Sequence, residues 1–192
     1  MIKDIFKDIL RHTHALGFIE MVKVSGDTES TTIEAMDADK TVIVKGKLHN
    51  PVADFVDQTV GLSRMSVLDG YLKFPGFGDE GSNVSVETQE RNGEDIPVEI
   101  NFSSAEGHTG SYRFMLADVI NQQLKSVKMK DIPWDVSITP TQKNLKDLGY
   151  FNGVLGGFEP VFSPSTKDGA LFFSIGEGAG DKGKLPINNN VE

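Results

Sequence analysis

An α+β fold of duplicated helix-plus-antiparallel-sheet domains, with the second copy incomplete, is what this sequence predicts. Three observations carry the prediction. The chain opens on an amphipathic helix. Residues 18–114 then break into short runs of alternating apolar and polar residues. A second helix-then-hairpin pattern begins where the first would begin if copied 140 residues further on.

The opening helix is read from Ile2, Ile5, Phe6, Ile9 and Leu10, which fall at the i, i+3, i+4, i+7, i+8 spacing of one apolar stripe. Lys3, Lys7 and Arg11 recur every fourth residue on roughly the other side, with His14 near the same line, and Gly17 supplies a stop. Strands are expected over Phe18 to Val24, Thr31 to Met36 and Val42 to Leu48. Val84-Val86-Thr88 and Ile96-Val98-Ile100-Phe102 alternate as half-buried strands do, on either side of Asn92-Gly93, a hairpin signal. Tyr112 and Phe114 alternate in a further run. A second helix, about Ser63 to Phe74, carries Met65, Leu68 and Leu72 on its apolar side and is ended by Pro75-Gly76.

Residues 116–133 read differently. Leu116 to Leu124 is moderately apolar, and Lys125, Lys128 and Lys130 follow. This stretch is expected to connect two domains, residues 1–115 and 134–192, partly docked by its own apolar side chains. Trp134 to Ile138 then alternates as a strand. Thr139-Pro140-Thr141-Gln142 reads as a helix start with Thr139 at the N-cap, Pro140 at N1 and Gln142 at N3. Leu145, Leu148, Phe151 and Leu155 give the apolar face, and Lys143 and Lys146 lie away from it. Gly156-Gly157 ends the helix, Phe158 begins a strand, and Lys167-Asp168-Gly169 turns into Leu171 to Ile175. Gly17-Phe18 thus recurs as Gly157-Phe158, which marks a structural duplication. After that point the second copy is short by about sixty residues relative to the first.

Composition narrows the function. With 192 residues and 38% hydrophobic content the chain can build a core, and no run approaches a bilayer span. The N-terminus lacks the layout of a secretory signal. The absence of cysteine removes disulfides, thiolate nucleophiles and thiolate-bound zinc, and fits a reducing compartment, so a cytoplasmic protein is expected. A net charge of −9 argues against nucleic-acid affinity over the whole surface, though not against a basic face.

No enzymatic motif survives inspection. Gly178 to Lys184 has the spacing of a phosphate loop, but Leu185 stands where a Ser or Thr must hold magnesium, and Pro186 opposes the helix that should follow. Asp37 and Asp39 are two carboxylates without further ligands, better read as a polar turn. His12 and His14 do not face one another on a helix, and His49 and His108 have no partner nearby in sequence. No catalytic residue, metal site or cofactor is assigned.

Phe18-Ile19-Glu20-Met21 after a helix, followed by Ile33-Glu34-Ala35-Met36-Asp37-Ala38-Asp39-Lys40-Thr41-Val42, resembles the first domain of the proliferating cell nuclear antigen family and its T-even-type phage relatives. Val60 to Leu68 is similar to the second helix of that domain. Ile138-Thr139-Pro140 with its helix, and Lys167-Asp168-Gly169 through Gly176-Glu177-Gly178, resemble the opening of the second domain. The order of elements matches along essentially the whole chain, with Ala35-Met36-Asp37 the most distinctive point. Two departures stand out: little room precedes the first helix for the usual first strand, and the second domain is short.

The resemblance implies the DNA-clamp fold and a DNA sliding clamp, the processivity factor of a replicative polymerase. Such subunits close into a ring, here a homotrimer, whose helices line a hole around duplex DNA. It implies sequence-independent phosphate contacts from Lys3, Lys7 and Arg11, with Lys143 and Lys146 as second-domain counterparts. Charges so spaced are also the ordinary solvated face of a helix, and both readings stand at this point. It further implies partners, namely DNA polymerase and clamp loader, whose peptides dock under the connector at Met36, Ile120 and Leu124; Met36 packing a strand end is the plainer alternative. A β-rich viral structural or assembly protein without a sliding role is the competing function, and a hydrolase assembled only in three dimensions a weaker one.

Overall fold

The predicted helix stripe and strand alternations are found at nearly the predicted places in a computed structural model of the protein, which describes residues 2–91, 93–125, 133–157, 161–176 and 180–188. Asn92, Lys128, Lys130, Phe158, Gly178 and Ala179, on which parts of the sequence reading fall, lie outside the described residues. The chain divides into two compact units, Met1–Lys128 and Met129–Glu192.

In the first unit, α1 (Ile2–His12) buries Phe6, Ile9 and Leu10. It is followed by β1 (Val22–Gly26), β2 (Thr31–Met36), β3 (Ile43–Lys47) and β4 (Thr59–Leu62), which form an antiparallel sheet in the order β3-β2-β1-β4. Alternation decides which face is which. Val22, Val24, Ile33, Ala35, Val60 and Leu62 are buried in the core with α1. The opposite face carries the register row Gly61, Lys23, Glu34 and Lys45. β1 begins later than the sequence suggests: Gly17 takes φ 85° and Phe18 remains 47% exposed, so the strand starts at Val22.

Helix α2 (Met65–Lys73) buries Met65, Leu68 and Leu72, as predicted. A second sheet, β5-β6-β7, follows from β5 (Asn83–Arg91), β6 (Glu94–Ser103) and β7 (Thr109–Arg113). β5 and β6 pair out to Arg91 opposite Glu94, and Gly93 in the connecting turn has φ 83°. Just past β7, Met115 exchanges two backbone hydrogen bonds with Gly61 of β4, of 2.8 and 2.9 Å, and so ties the two sheets together. Three rings, Phe6, Phe55 and Phe114, meet at centroid distances of 5.9–6.2 Å inside this core. A short helix absent from the sequence reading, α3 (Ala117–Gln123), then packs against β4.

The second unit contains α4 (Gln142–Leu155) and a sheet of β8 (Phe162–Lys167), β9 (Ala170–Ile175) and β10 (Gly183–Asn188), ordered β10-β9-β8. Leu155, Ile175 and Leu185 form its small core, with Leu148, Phe151 and Ile187 against it. The β8–β9 turn places Asp168 and Gly169 at φ 50° and 71°, the two left-handed residues that a tight hairpin turn requires. Two expectations are corrected here. Trp134 to Ile138 forms no strand, because no neighbouring strand pairs with it among the described residues. The N-cap of α4 is Thr141 rather than Thr139: the Thr141 hydroxyl accepts from the Asn144 N–H, and the Asn144 side chain accepts from the Thr141 N–H. The segment after Lys182 supplies the third strand, whose bulge between Pro186 and Asn188 absorbs the proline.

Candidate functional site

The cations of α1 do not form one row. Successive fourth residues drift about 40° around a helix of 3.6 residues per turn, so the series spirals from the flank of the apolar stripe into solvent. Lys3, at the start, is buried, and its Nζ donates to the Phe77 carbonyl at 2.5 Å. Burial, followed by repulsion from Lys7, holds its ammonium below the ordinary lysine value of 10.5. Lys7 and Arg11, by contrast, are exposed. They border a groove between α1 and α2 whose floor includes Leu10 and Leu72 and whose far bank is Lys73. Lys73 was not singled out from sequence, although its place at the end of a helix, four residues after Asp69, was visible; the two pair at 2.5 Å.

In the second unit Lys143 and Lys146 project from α4 and are exposed, and Lys143 pairs with Asp147. Charge is distributed unevenly along the chain. α1 carries three cations against two carboxylates and α4 two against one, within a protein of 19 Lys and Arg against 28 Asp and Glu. With Lys3 turned inward the exposed charges of α1 balance, two cations against two carboxylates, so neither helix shares in the acidic excess, which lies elsewhere.

The second candidate surface is the outer face of the β3-β2-β1-β4 sheet. Glu34 sits between Lys23, at 2.6 Å, and Lys45, at 3.6 Å. Lys23 is 7% exposed. Next to this ladder, α3 presses Ile120 onto Gly61. A Cβ on Gly61 would lie 2.9 Å from the Ile120 Cβ, so only glycine admits the helix this closely. Met36 and Leu124 are brought together: with Ala35 and Ile43 they line one small depression, rimmed by Glu34, Lys45 and Lys125. Ile120 is placed differently. It is fully buried and serves as the anchor of α3, not as part of the depression.

Asp37 closes the β2–β3 turn. Its carboxylate accepts from the N–H groups of Thr41 and Val42 and from the Thr41 hydroxyl, and these bonds, that of Val42 first, hold its pKa below the ordinary aspartate value. Among the described residues no group of three or more His, Asp or Glu could hold a metal ion, and no helix is long and apolar enough to cross a membrane.

Two packed units, each with an amphipathic helix laid on an antiparallel sheet, define the DNA-clamp fold. The chain is similar in structure to a PCNA from Thermococcus kodakaraensis, with a TM-score of 0.64 at 12% sequence identity, over 97% of this chain and 70% of that one. At that identity the likeness speaks for the fold. No family model matches the chain, and no curated protein matches it.

Proposed function

We propose that the chain is a subunit of a DNA sliding clamp, acting as a homotrimeric ring around duplex DNA. The observation that carries this reading is the clamp fold extending over 97% of the chain. The exposed cations on α1 and α4 support it, because a surface that slides needs phosphate contacts without base readout. Lys7 and Arg11, joined by Lys73, are the first-unit contacts, and Lys143 and Lys146 those of the second unit. Lys3 acts from within, holding α1 to Phe77. An acidic remainder suits a ring that must hold DNA loosely and repel it from the outside. Polymerase and clamp-loader peptides dock on the outer sheet beside Met36 and Leu124, under the helix that Ile120 anchors.

Light scattering at low and moderate salt tests the reading. A mass three times the 21.0 kDa of the chain at both salt concentrations is expected of a ring closed by packed interfaces. A monomer at both concentrations overturns the ring and leaves a clamp-fold subunit that cannot encircle DNA alone.

A further inference from the structure

The depression beside Met36 is already filled, and by the chain itself. Leu124, the residue that ends α3, is 4% exposed and lies against Met36 and Ile43. The space left over is about 10 Å³, which holds about one water and no side chain. What keeps Leu124 there is slight. α3 spans seven residues, well under the roughly 12–15 that an isolated helix needs in water. It therefore exists by virtue of docking, and its buried anchors are Ile120 and Leu124. Its remaining apolar residues point outward: Leu116 is 42% and Val119 40% exposed.

We propose, resting on the clamp reading above, that Leu124 is an intramolecular plug, and that a partner peptide binds by displacing it and seating its own side chain beside Met36. The seat fits an aliphatic side chain of leucine size, since it holds one now, and the flexible thioether of Met36 adapts to small differences in shape. At the rim Lys45 is paired with Glu34, so Lys125 is the cation that favours a peptide with a carboxylate flanking that residue. Exchanging one buried aliphatic group for another leaves little net apolar gain, so affinity comes from the flanking contacts. The plug also lowers apparent affinity by the fraction of time the seat stands open. In return it keeps an apolar pit covered while no partner is bound.

The chain contains no cysteine, so a single introduced thiol reports on its own position. Leu124→Cys and Val119→Cys, in the full chain, would be labelled with iodoacetamide. Cys at 124 should react about tenfold more slowly than Cys at 119, because it reacts only on local opening. Acetyl-Glu-Leu-Glu-amide should speed the reaction at 124 and leave that at 119 unchanged, while acetyl-Glu-Ser-Glu-amide should do neither. As a second measurement, the Met36 methyl resonance should respond to the leucine peptide at about tenfold lower concentration in Leu124→Ala than in wild type. Equal labelling at both positions, or an Ala variant no more responsive than wild type, overturns the plug. A monomer by light scattering that still shows these responses removes the ring and keeps the plug, whereas a trimer without them removes the plug alone.

Discussion

Ile120 occupies the space that a side chain on Gly61 would need: a Cβ at position 61 would come within 2.9 Å of the Ile120 Cβ and equally close to that of Met115. The glycine therefore sets the height of α3 above the sheet. Gly61→Ala should lift α3 and cost about 1–3 kcal/mol, the range for overpacking a tight contact. Amide exchange over 117–124 should accelerate more than exchange in β1 and β2. Unchanged protection of α3 would mean that the helix is held by something other than this contact.

The Lys23–Glu34–Lys45 ladder lies on the same face. Lys23→Met removes the buried partner of Glu34 and keeps the pair with Lys45, which is longer and more exposed. The cost should be about 1–3 kcal/mol, below the full penalty for orphaning a buried charge because Lys45 remains. Lys45→Met, at the exposed end, should cost under about 1 kcal/mol. Urea denaturation of the two variants side by side would separate them, and equal losses would show that burial does not distinguish the two pairs.

The cap of α4 offers a direct stability test. Thr141→Ala removes the hydroxyl that accepts from Asn144 and should destabilise the second unit by about 1 kcal/mol, whereas Thr139→Ala should change nothing measurable. Amide exchange across Gln142–Leu155 in both variants decides which threonine is the cap.

Those two threonines show where the sequence was legible and where it was not. Periodicity placed the apolar faces of α1 and α2 correctly, since Phe6, Ile9, Leu68 and Leu72 report a property local to each helix. It could not choose between Thr139 and Thr141, because the choice depends on Asn144 folding back. Lys3 looked like the first member of a solvent-facing series, yet the 40° drift per four residues turned it inward, onto the Phe77 carbonyl. Alternation in Trp134 to Ile138 gave two faces but no partner strand, and pairing is what makes a strand. β4 is four residues long and runs into α2, so its signal merged with the helix. Pro186 hid β10, which tolerates it through a bulge. For the candidate surfaces, residue type pointed to Met36 and Leu124. The plugging contact between them depends on how far α3 descends, which Gly61 fixes from another strand.

Alkaline pH should expose the role of Tyr112. Its hydroxyl donates to the Ser63 carbonyl in the core, and burial, only partly offset by that bond and by Arg64, raises its pKa to about 12. The folded protein thus keeps this proton when the unfolded chain, at about 10.0, has lost it. The resulting stabilisation is complete below pH 10 and lost as pH rises through about 12. Tyr112→Phe should be less stable than wild type at neutral pH, and its stability should fall less steeply above pH 10. Parallel stability curves for the two proteins across that window would show that Tyr112 does not titrate late.

The DNA-contact assignment makes the sharpest distinction among the lysines. If Lys7 and Arg11 each neutralise a phosphate, Lys7→Gln/Arg11→Gln should reduce the slope of log affinity against log salt by about 2, at roughly 0.9 per contact. Weakening should be uniform across duplex sequences, because phosphate contacts carry no base information. Lys3→Met should leave the slope unchanged, since its ammonium is spent on Phe77 inside the fold, even though the variant removes as much formal charge as either substitution of the pair. Lys143→Gln/Lys146→Gln should lower the slope by less than the α1 pair, because Lys143 is partly neutralised by Asp147. Fluorescence anisotropy with duplexes of two unrelated sequences at several salt concentrations reads all three variants. A slope that falls for Lys3→Met by half as much as for the Lys7/Arg11 pair, one charge against two, would reduce the DNA effect to net charge and remove the groove between α1 and α2 as a contact surface.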